Sequence, residues 1–374
     1  MRSKRKILFY THALTGGGAE RVWALLASGF ARQGDEVVFA CDFDAGENRA
    51  FLDDAVRLEI LGRGHLTQTL RLARLLRTFK PDASFSAIGV SNLKHGAAAI
   101  LSGRLGRAIQ SYHGYFESEP QLLSRLGYLM TPISTRMFAR SICVSDGLHH
   151  YVLNRFHADP KRTVAVYNPV RAGDDAAAAT AQTLAAKPPV VLSAGRLVSY
   201  KNFPFLVRAF AHVEPREARL VIIGEGPERE TIAREIERTG QSGRIALAGY
   251  QSDPWPWYAQ ARAFALASES EAFGLVVVEA LAYGLPVVST DCHGPRQILA
   301  DGRFGELVGK GDERAMAAAI TRALADVGDV PARQKRAVDF SVSLAVARYG
   351  NVVDDVCGPR ASASPAKGAP RIAG

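Results

Sequence analysis

The sequence predicts an α/β fold built from two Rossmann-like domains. With 374 residues, the chain is longer than a single hydrophobic core usually serves, so two domains are expected. Strand patterns alternate with helix patterns, which is typical of parallel sheets covered by helices. The alternation stops over residues 171–189, which are rich in alanine and end in Lys-Pro-Pro, and restarts at Val190. This segment is therefore interpreted as an interdomain linker.

The first domain is assigned to residues 1–170. Ile7–Tyr10 is predicted to be a strand, and Ala19–Arg32 a helix that places Val22 and Phe30 on one apolar face. Gly34 ends this helix. Further strands are predicted at 36–40, 84–86, 108–111 and 141–144, and a further helix at 70–79.

The second domain is assigned to residues 190–339. Strands are predicted at 190–194, 219–223, 245–248, 263–267 and 286–290, and helices at 205–212, 228–239 and 274–283. The tail, residues 358–374, is rich in Ala, Pro, Ser and Gly, a composition typical of disorder.

Composition excludes several classes of protein. Hydrophobic residues make up 47% of the chain and charged residues 22%, as in ordinary globular proteins. No apolar run is long enough to span a membrane, and the N-terminus leads directly into a strand rather than a signal sequence. The four cysteines have no metal-ligand spacing, so reduced thiols, a cytoplasmic location and no zinc site are expected.

The positive charge is concentrated in the first half of the chain. Residues 1–170 contain 22 Lys and Arg against 14 Asp and Glu, whereas the remainder contains 24 against 23. Such a basic half could face nucleic acid, an anionic membrane or an acidic substrate, or serve solubility alone. We expect no nucleic-acid partner and leave membrane contact and solubility as open alternatives.

Two carboxylates mark the centre of the second domain. Glu271 lies in a loop, and Glu279 lies eight positions later inside the short helix predicted at 274–283. Gly284 and Pro286 end that helix. A long polar ligand would fit this arrangement, with a sugar at Glu271, a ribose at Glu279 and a diphosphate at the helix N-terminus, where free N–H groups favour anions.

Two cations and several glycine turns follow other predicted strands. Arg196 and Lys201 follow the strand at 190–194, at the end of a strand where open α/β sheets bind ligands. Together they could grip one diphosphate, although they could also be solvated surface cations. The loop Gly16-Gly17-Gly18 after the first strand could bind an anion or be a structural turn. The remaining candidates are a second glycine turn, Gly224-Glu225-Gly226-Pro227, and the strand end Gly249-Tyr250.

These motifs resemble those of retaining glycosyltransferases of family 4, which have the GT-B fold. The similarity rests on Glu-x7-Glu at 271–279, Gly-Arg-Leu-x-x-x-Lys-Asn at 195–202 and Gly-x-Gly-Pro at 224–227. The resemblance implies a metal-independent enzyme without a cofactor, and a C-terminal helix at 340–357 that returns to the first, acceptor-binding domain. It assigns catalysis to Glu271, Arg196, Lys201 and His113. It assigns nucleotide-sugar binding to Gly17, Gly18, Arg196, Lys201, Gly226, Tyr250, Phe273, Gly274, Leu275 and Glu279.

The first domain carries weaker signals. A lone histidine is more often structural, but His113 follows the strand at 108–111, where the family often has a histidine near the donor sugar, so both interpretations stay open. Asp42-Phe43-Asp44 has a metal-binding form known from another glycosyltransferase fold, and is predicted here to be a solvated loop. Residues 115–140 mix aromatic and aliphatic side chains with Arg125, Arg136 and Arg140, which indicates either a surface for a lipid-linked acceptor or membrane, or a buried helix with a basic face.

The predicted function is transfer of a hexose or N-acetylhexosamine from a nucleotide-diphosphate sugar to a lipid-linked or cell-envelope glycan. The segment 289–299 resembles family members that use UDP-sugars, which favours uracil as the base. The expected location is cytoplasmic, and peripheral contact with the inner face of the membrane stays open. Two alternatives stay open: a sugar-nucleotide 2-epimerase of the same fold, and a non-catalytic protein that binds nucleotide sugars.

Overall fold

The chain forms two α/β domains, each built on a parallel sheet. In the computed structural model, the described residues are 4–15, 17–119, 122–173 and 175–358. The first sheet has seven strands in the order β3-β2-β1-β4-β5-β6-β7, and the second has six in the order β10-β9-β8-β11-β12-β13. Every pairing within both sheets is parallel. The predicted fold class is confirmed.

The first domain contains strands β1 to β7 and helices α1 to α6. The strands are β1 Lys6–Thr11, β2 Glu36–Cys41, β3 Arg57–Ile60, β4 Ala83–Ala87, β5 Ala108–Tyr112, β6 Arg140–Cys143 and β7 Thr163–Ala165. The helices are α1 Gly18–Arg32, α2 His65–Phe79, α3 Gly89–Ser102, α4 Leu122–Leu129, α5 Thr131–Met137 and α6 Asp146–Phe156.

A short helix, α7 Ala181–Ala185, lies within the predicted linker, and the second domain follows it. The strands are β8 Val190–Ala194, β9 Arg219–Ile223, β10 Ile245–Gly249, β11 Ala263–Leu266, β12 Val287–Thr290 and β13 Glu306–Val308. The helices are α8 Phe203–Phe210, α9 Arg229–Arg238, α10 Trp255–Gln260, α11 Leu275–Ala282, α12 His293–Ile298, α13 Glu313–Ala325, α14 Val330–Val338 and α15 Val342–Cys357.

The first core forms because helices cover both faces of the sheet, so its central strands lie in an apolar environment. Phe9 of β1 stacks on Phe85 of β4 at 5.0 Å between ring centroids, and Trp23 of α1 packs edge-on against Phe9 at 5.5 Å. All three side chains are fully buried. Burial on this scale is the main favourable term in folding.

The C-terminal helix α15 packs on α1 of the first domain. Gly29 of α1 permits this close approach, because a Cβ at that position would lie 2.4 Å from Val346. Arg5, just before β1, adds an ion pair to Asp354 of α15 at 2.7 Å. The predicted tail from 358 onward lies outside the described residues except for Gly358.

Each sheet has one point where the strand order reverses. In the first sheet this point lies between β1 and β4, and in the second it lies between β8 and β11. Open α/β sheets bind ligands beyond the carboxyl ends of their strands at such switch points, because the loops there diverge and leave a crevice. The residues that follow β1, β4, β8 and β11 are therefore the first to examine for function.

Candidate active site

Glu271 and Lys201 form an ion pair at the switch point of the second sheet. Lys201 follows β8 and Glu271 follows β11, and the ammonium group donates to the Glu271 carboxylate. Ser268 adds a longer hydrogen bond to the same oxygen at 3.5 Å. Both charged side chains are largely buried, at 12% and 15% exposure. Two motifs that the sequence assigned separately, Lys201 to a diphosphate and Glu271 to a sugar, therefore place one cation and one anion together in the crevice.

Glu279 is held by two partners from different domains. Its carboxylate forms an ion pair with Arg21 on α1 of the first domain, and it accepts a hydrogen bond of 2.7 Å from the Tyr258 hydroxyl on α10. Glu279 is only 2% exposed and Tyr258 is fully buried. Burial, and then the neighbouring Glu279 charge, raise the pKa of Tyr258 well above its usual range, so the hydroxyl keeps its proton and donates it.

The glycine-rich loop of the first domain touches the start of α11. A Cβ at Gly18 would lie 3.1 Å from the Leu275 side chain, and Leu275 is the first residue of α11. Gly274, which precedes the helix, has φ +101°, a conformation that glycine adopts without strain. The N-terminus of α11 thus lies beside Gly18 in the interdomain cleft, and the free N–H groups of a helix N-terminus suit an anion. Gly16 lies outside the described residues.

Arg196 is the open cation of the site. It follows β8, is exposed, and its guanidinium has no hydrogen bond or ion pair with any residue that the structure describes. The positive charge of Arg196 acts on the Glu20 carboxyl of α1, across the cleft. Burial raises the pKa of Glu20 to about 7, against the opposing effects of its own backbone N–H and Arg196. The centre of the cleft therefore carries an unneutralised cation and an acid that is easily protonated.

Two glycine turns of the second domain pack closely against the loop that carries Arg196. A Cβ at Gly226 would lie 2.4 Å from the Leu197 carbonyl oxygen, and one at Gly224 would lie 1.9 Å from the Gly195 carbonyl oxygen. The backbone N–H of Leu197 also donates to the Glu225 carbonyl at 2.9 Å. Gly226 therefore shapes the loop that carries Arg196, and its role is close backbone packing.

Tyr250 and Phe273 occupy different environments. Tyr250 follows β10 and is 50% exposed; burial, and then the charge of Glu47 from the first domain, raise its pKa. Tyr250 is therefore half-exposed and within electrostatic range of the first domain. Phe273 is 4% exposed and packs against Phe340 at 5.7 Å, so the structure places its ring in the core and leaves only its backbone near the helix N-terminus.

His113 lies directly after β5, on the first-domain side. One ring nitrogen is 2.9 Å from the Ser111 hydroxyl, and Trp23 packs edge-on against the ring at 5.2 Å. Burial lowers the pKa of His113 to about 3, so the imidazole is neutral at pH 7. His113 can therefore offer a neutral polar contact but no positive charge.

The predicted solvated loop at Asp42-Phe43-Asp44 is wrong for its first residue. Asp44 is indeed 53% exposed and pairs with Arg49, but Asp42 is fully buried. It accepts hydrogen bonds from Tyr10, His12 and Lys94, which come from β1, the loop after it and α3. The sequence spacing gave no indication of this, because the partners lie 32, 30 and 52 residues away. No group of three or more His, Cys, Asp or Glu residues within the described ranges could hold a metal ion.

Sequence reasoning missed four residues of the cleft. Arg21 and Tyr258 were hidden because both contact Glu279 only through the tertiary fold, whereas Glu20 could have been noticed beside the glycine loop. Tyr115 was considered only for a surface. The structure buries Tyr115 to 8% exposure and leaves its hydroxyl without a hydrogen-bond partner among the described residues, within range of the Glu271 charge.

Comparison with known protein families agrees with this geometry. Residues 16–173 match the model named Glycosyltransferase Family 4, and residues 176–338 match Glycosyl transferases group 1. The chain belongs to the family 4 glycosyltransferases of GT-B fold. It is therefore an enzyme that transfers a sugar, as its two glutamates and two cations predicted.

Individual relatives extend the match over most of the chain. A lipopolysaccharide core biosynthesis glycosyltransferase, LpsE of Rhizobium meliloti, is 29% identical over 318 residues, covering 83% of this chain and 86% of the relative. The crystal structure of HepE from Anabaena in complex with UDP and glucose has a TM-score of 0.78 at 19% identity, covering 94% and 99% of the two chains. The lipopolysaccharide outer core galactosyltransferase WaaB has a TM-score of 0.72 at 22% identity, covering 93% and 99%. At these identities the structural neighbours show the fold alone.

Proposed function

We propose that this glycosyltransferase moves a hexose or N-acetylhexosamine from a UDP-linked sugar, with retention of configuration, to a lipid-linked or cell-envelope glycan. The observation that carries the proposal is the cleft between the two sheets, where the open guanidinium of Arg196, the N-terminus of α11 and the Glu271–Lys201 pair converge. Arg196 and the α11 N-terminus suit the diphosphate of such a donor, and the Glu271–Lys201 pair suits the sugar beside it.

The charged groups of the cleft have separate proposed roles. Arg196 and the α11 N–H groups bind the diphosphate and stabilise the negative charge that grows on it as the sugar leaves. Glu271 orients the sugar hydroxyls and keeps Lys201 beside the diphosphate, while Glu279 binds the ribose hydroxyls. The donor phosphate oxygen takes the acceptor proton on the face that is attacked, which accounts for retention without a protein nucleophile.

The names of relatives support the choice of substrates. The relative from Rhizobium meliloti is named for lipopolysaccharide core biosynthesis, and the Anabaena structure contains UDP and glucose. A Campylobacter jejuni relative, 31% identical over 49% of this chain, is named for transfer of N-acetylgalactosamine to a diphospho-undecaprenol acceptor. We infer from these names a UDP-sugar donor and an envelope glycan acceptor.

Exposed side chains of the first domain suggest that the protein acts at the cytoplasmic surface of a membrane. In α4 and α5, the side chains of Leu122, Leu129 and Ile133 are 82%, 61% and 53% exposed, beside Arg125 and Arg136. Such a basic, apolar face fits peripheral contact with anionic lipid, at about 1 kcal/mol for each basic residue near the surface. No helix within the described ranges is long and apolar enough to cross a membrane.

The decisive experiment combines a donor screen with product analysis. Thermal shift with UDP-, GDP- and ADP-sugars should show the largest stabilisation with one UDP-sugar, because ligand binding raises apparent stability. The anomeric configuration of the transferred sugar, followed by NMR, should be retained, and activity should persist in excess chelator. Conversion of the donor without an acceptor would indicate the 2-epimerase, and binding without turnover would indicate a binding protein.

The membrane contact is tested separately by co-sedimentation with vesicles. The wild type should bind anionic vesicles at low salt and release them at high salt, because screening weakens surface attraction. A variant neutralised at Arg125, Arg136 and Arg140 should bind less. No preference for anionic over neutral vesicles at low salt would leave the basic residues as a solubility feature and indicate a soluble acceptor.

A further inference from the structure

A polar cluster at the switch point of the first sheet has no role in the donor site. We call it the first-domain cluster: Tyr10, His12, Asp42, Gln68 and Lys94. Asp42 accepts from the Tyr10 hydroxyl at 3.0 Å, from His12 Nδ1 at 2.8 Å and from Lys94 Nζ at 2.7 Å. Lys94 also donates to the Gln68 amide oxygen at 2.5 Å.

The cluster faces the same cleft as the donor site. His12 follows β1, Asp42 follows β2, and Lys94 lies in the helix after β4, so all three are at the carboxyl ends of strands around the β1–β4 switch point. The loop that carries His12 continues within six residues to Gly18, which touches α11. The two switch points of the molecule thus lie on opposite sides of one cleft. The switch point of the second sheet carries the proposed diphosphate-binding groups, and that of the first sheet carries this cluster.

Hydrogen-bond chemistry fixes which ring nitrogen of His12 faces Asp42 with a proton. An ionised carboxylate only accepts hydrogen bonds, so Tyr10, Lys94 and His12 must all donate to Asp42. The His12 proton toward Asp42 is therefore on Nδ1, and a neutral ring leaves Nε2 as a hydrogen-bond acceptor. The His12 side chain is 55% exposed, and Nε2 has no partner among the described residues.

The charges of the cluster indicate what His12 can bind. Asp42 is fully buried and Lys94 is 7% exposed, and their opposite charges cancel within the interior. Lys94 donates to Asp42 and Gln68 and is almost fully buried, so it is not accessible to an anion in the cleft. With Nδ1 donating to Asp42, the exposed Nε2 of His12 can form a hydrogen bond with a hydroxyl group, which can both donate and accept.

The cluster also contributes little to the stability of the core. Burying an ion pair costs several kcal/mol per ion, and apolar side chains of similar volume often give equal or greater stability. Here three donors, from β1, the loop after it and α3, hold one carboxylate, and the result is an imidazole fixed at Nδ1 and exposed on its other side. This arrangement is the kind that keeps a binding group in one tautomer and one direction.

We propose that His12, oriented by Asp42, binds a hydroxyl group of the acceptor sugar. The inference rests on the proposed function, since it places the acceptor opposite the donor site. It predicts that the group bound on the acceptor side of the cleft is an uncharged carbohydrate group. His12 is then a residue that selects and positions the acceptor. Asp42 and Lys94 act through His12 and are positioning residues.

The test compares His12→Ala with His212→Ala and His12→Gln. His212 is exposed and lies between α8 and β9, at the opposite edge of the second sheet, so it is a matched control. The three measurements are affinity for the UDP-sugar by calorimetry, hydrolysis of that donor without acceptor, and transfer to a panel of octyl glycosides. Because His12 is half-exposed, the variant should fold.

For His12→Ala we expect a rise of tenfold or more in the KM for the octyl glycoside, with donor affinity and donor hydrolysis within twofold of wild type. His12→Gln, whose amide oxygen can accept a hydrogen bond, should recover part of the loss, and His212→Ala should match wild type. Equal loss of donor affinity and transfer, or no change in acceptor KM, would overturn the assignment.

Two further outcomes separate the possible errors. If millimolar inorganic phosphate competes with the glycoside in the wild type but not in His12→Ala, the group bound at His12 is a phosphate and the proposal is wrong about its chemistry. If the wild type neither binds nor hydrolyses any nucleotide sugar, the proposed function itself fails, and the His12 inference fails with it.

Discussion

The two switch points of the molecule differ in how they hold charge. In the second domain Arg196 is left open, and the N-terminus of α11 adds unpaired N–H groups. In the first domain the Asp42 and Lys94 charges are buried and cancel, and His113 is neutral at pH 7. One side of the cleft is therefore built for an anion and the other for neutral polar groups, as a nucleotide-sugar donor and a glycan acceptor require.

This local pattern is the reverse of the overall charge. Residues 1–170 carry almost all of the positive excess, yet the open cation of the site belongs to the second domain. The excess lies in part on outer helices, such as Arg125 and Arg136 beside the exposed leucines of α4. The net charge of a domain thus describes the outer surface that large partners contact. The chemistry of a cleft depends instead on which of its charged side chains are paired.

The largest expected effect comes from removing the open cation. Arg196→Ala should lower kcat for transfer by about 10²- to 10³-fold, because charge stabilisation on the leaving diphosphate is lost. Since Arg196 has no partner among the described residues, the fold should be unaffected. Arg234→Ala, an exposed arginine of α9, is the matched control. A near wild-type rate for Arg196→Ala, measured with saturating donor, would place the diphosphate elsewhere.

Lys201 should behave differently from Arg196, although both are predicted to grip the diphosphate. Lys201→Ala should lower turnover by about 10²-fold or more and also lower stability, because Glu271 is left largely buried without its partner. The double variant Lys201→Met/Glu271→Gln should recover stability without activity. Thermal unfolding of the three proteins, beside their rates, shows whether the pair is coupled.

The two glutamates sharpen the same comparison. Glu271→Ala should mainly lower the chemical rate, whereas Glu279→Ala should mainly weaken nucleotide binding, by about tenfold or more, because Glu279 is placed for the ribose. Calorimetry with free UDP measures this directly. Equal losses of UDP affinity in both variants would show that the proposed division of labour is incorrect.

Sequence alone predicted the second domain better than the first. The strands Val190–Ala194 and Arg219–Ile223 have the predicted bounds, and the helix after Glu271 begins within one residue of its predicted start. Glycines and Pro286 mark these boundaries chemically, and the motifs of the site are contiguous in sequence. The assignment of individual residues to catalysis or binding stays a prediction.

The first domain was harder because its informative contacts are long-range. Strands β3 and β7 have only four and three residues, too short for a periodic pattern, and were not predicted, as was also true of the three-residue β13 in the second domain. Asp42 was expected in solvent because its neighbours Phe43 and Asp44 suggest a loop, while its buried partners come from β1 and α3. The Arg21–Glu279 pair spans 258 residues and joins two domains, so no local spacing could indicate it.

Arg21 offers an intermediate test of how the two sides of the cleft are joined. Arg21→Met should leave Glu279 buried with only Tyr258, and should lower the stability of the interdomain contact. We expect UDP affinity to fall by about three- to tenfold, a smaller change than for Glu279→Ala. Domain closure can be followed by small-angle scattering with and without UDP. An unchanged affinity and an unchanged closure would make the pair a surface contact only.

The smallest expected effect is a pH dependence of donor affinity that originates in Glu20. The free protein holds the pKa of Glu20 at about 7, mainly because the carboxyl is removed from water. A bound diphosphate adds negative charge beside it, which favours the protonated carboxyl and raises that pKa further. Binding therefore takes up a proton, and affinity should be highest below pH 7 and fall as pH rises through and above 7. Each additional unit of pKa corresponds to about a tenfold change in affinity, so a three- to tenfold fall is expected.

The measurement is calorimetry with a UDP-sugar from pH 6 to pH 9, since its diphosphate diester has no proton to lose in that range. Glu20→Gln keeps the size of the side chain and should bind the donor as the protonated wild type does, with the slope removed. Glu36→Gln, at the start of β2 and hence at the opposite edge of the first sheet, should keep the wild-type slope. An affinity that rises with pH would mean that Glu20 is pushed away from the diphosphate rather than held beside it, and the anion-binding side of the cleft would then consist of Arg196, Lys201 and the α11 N-terminus alone.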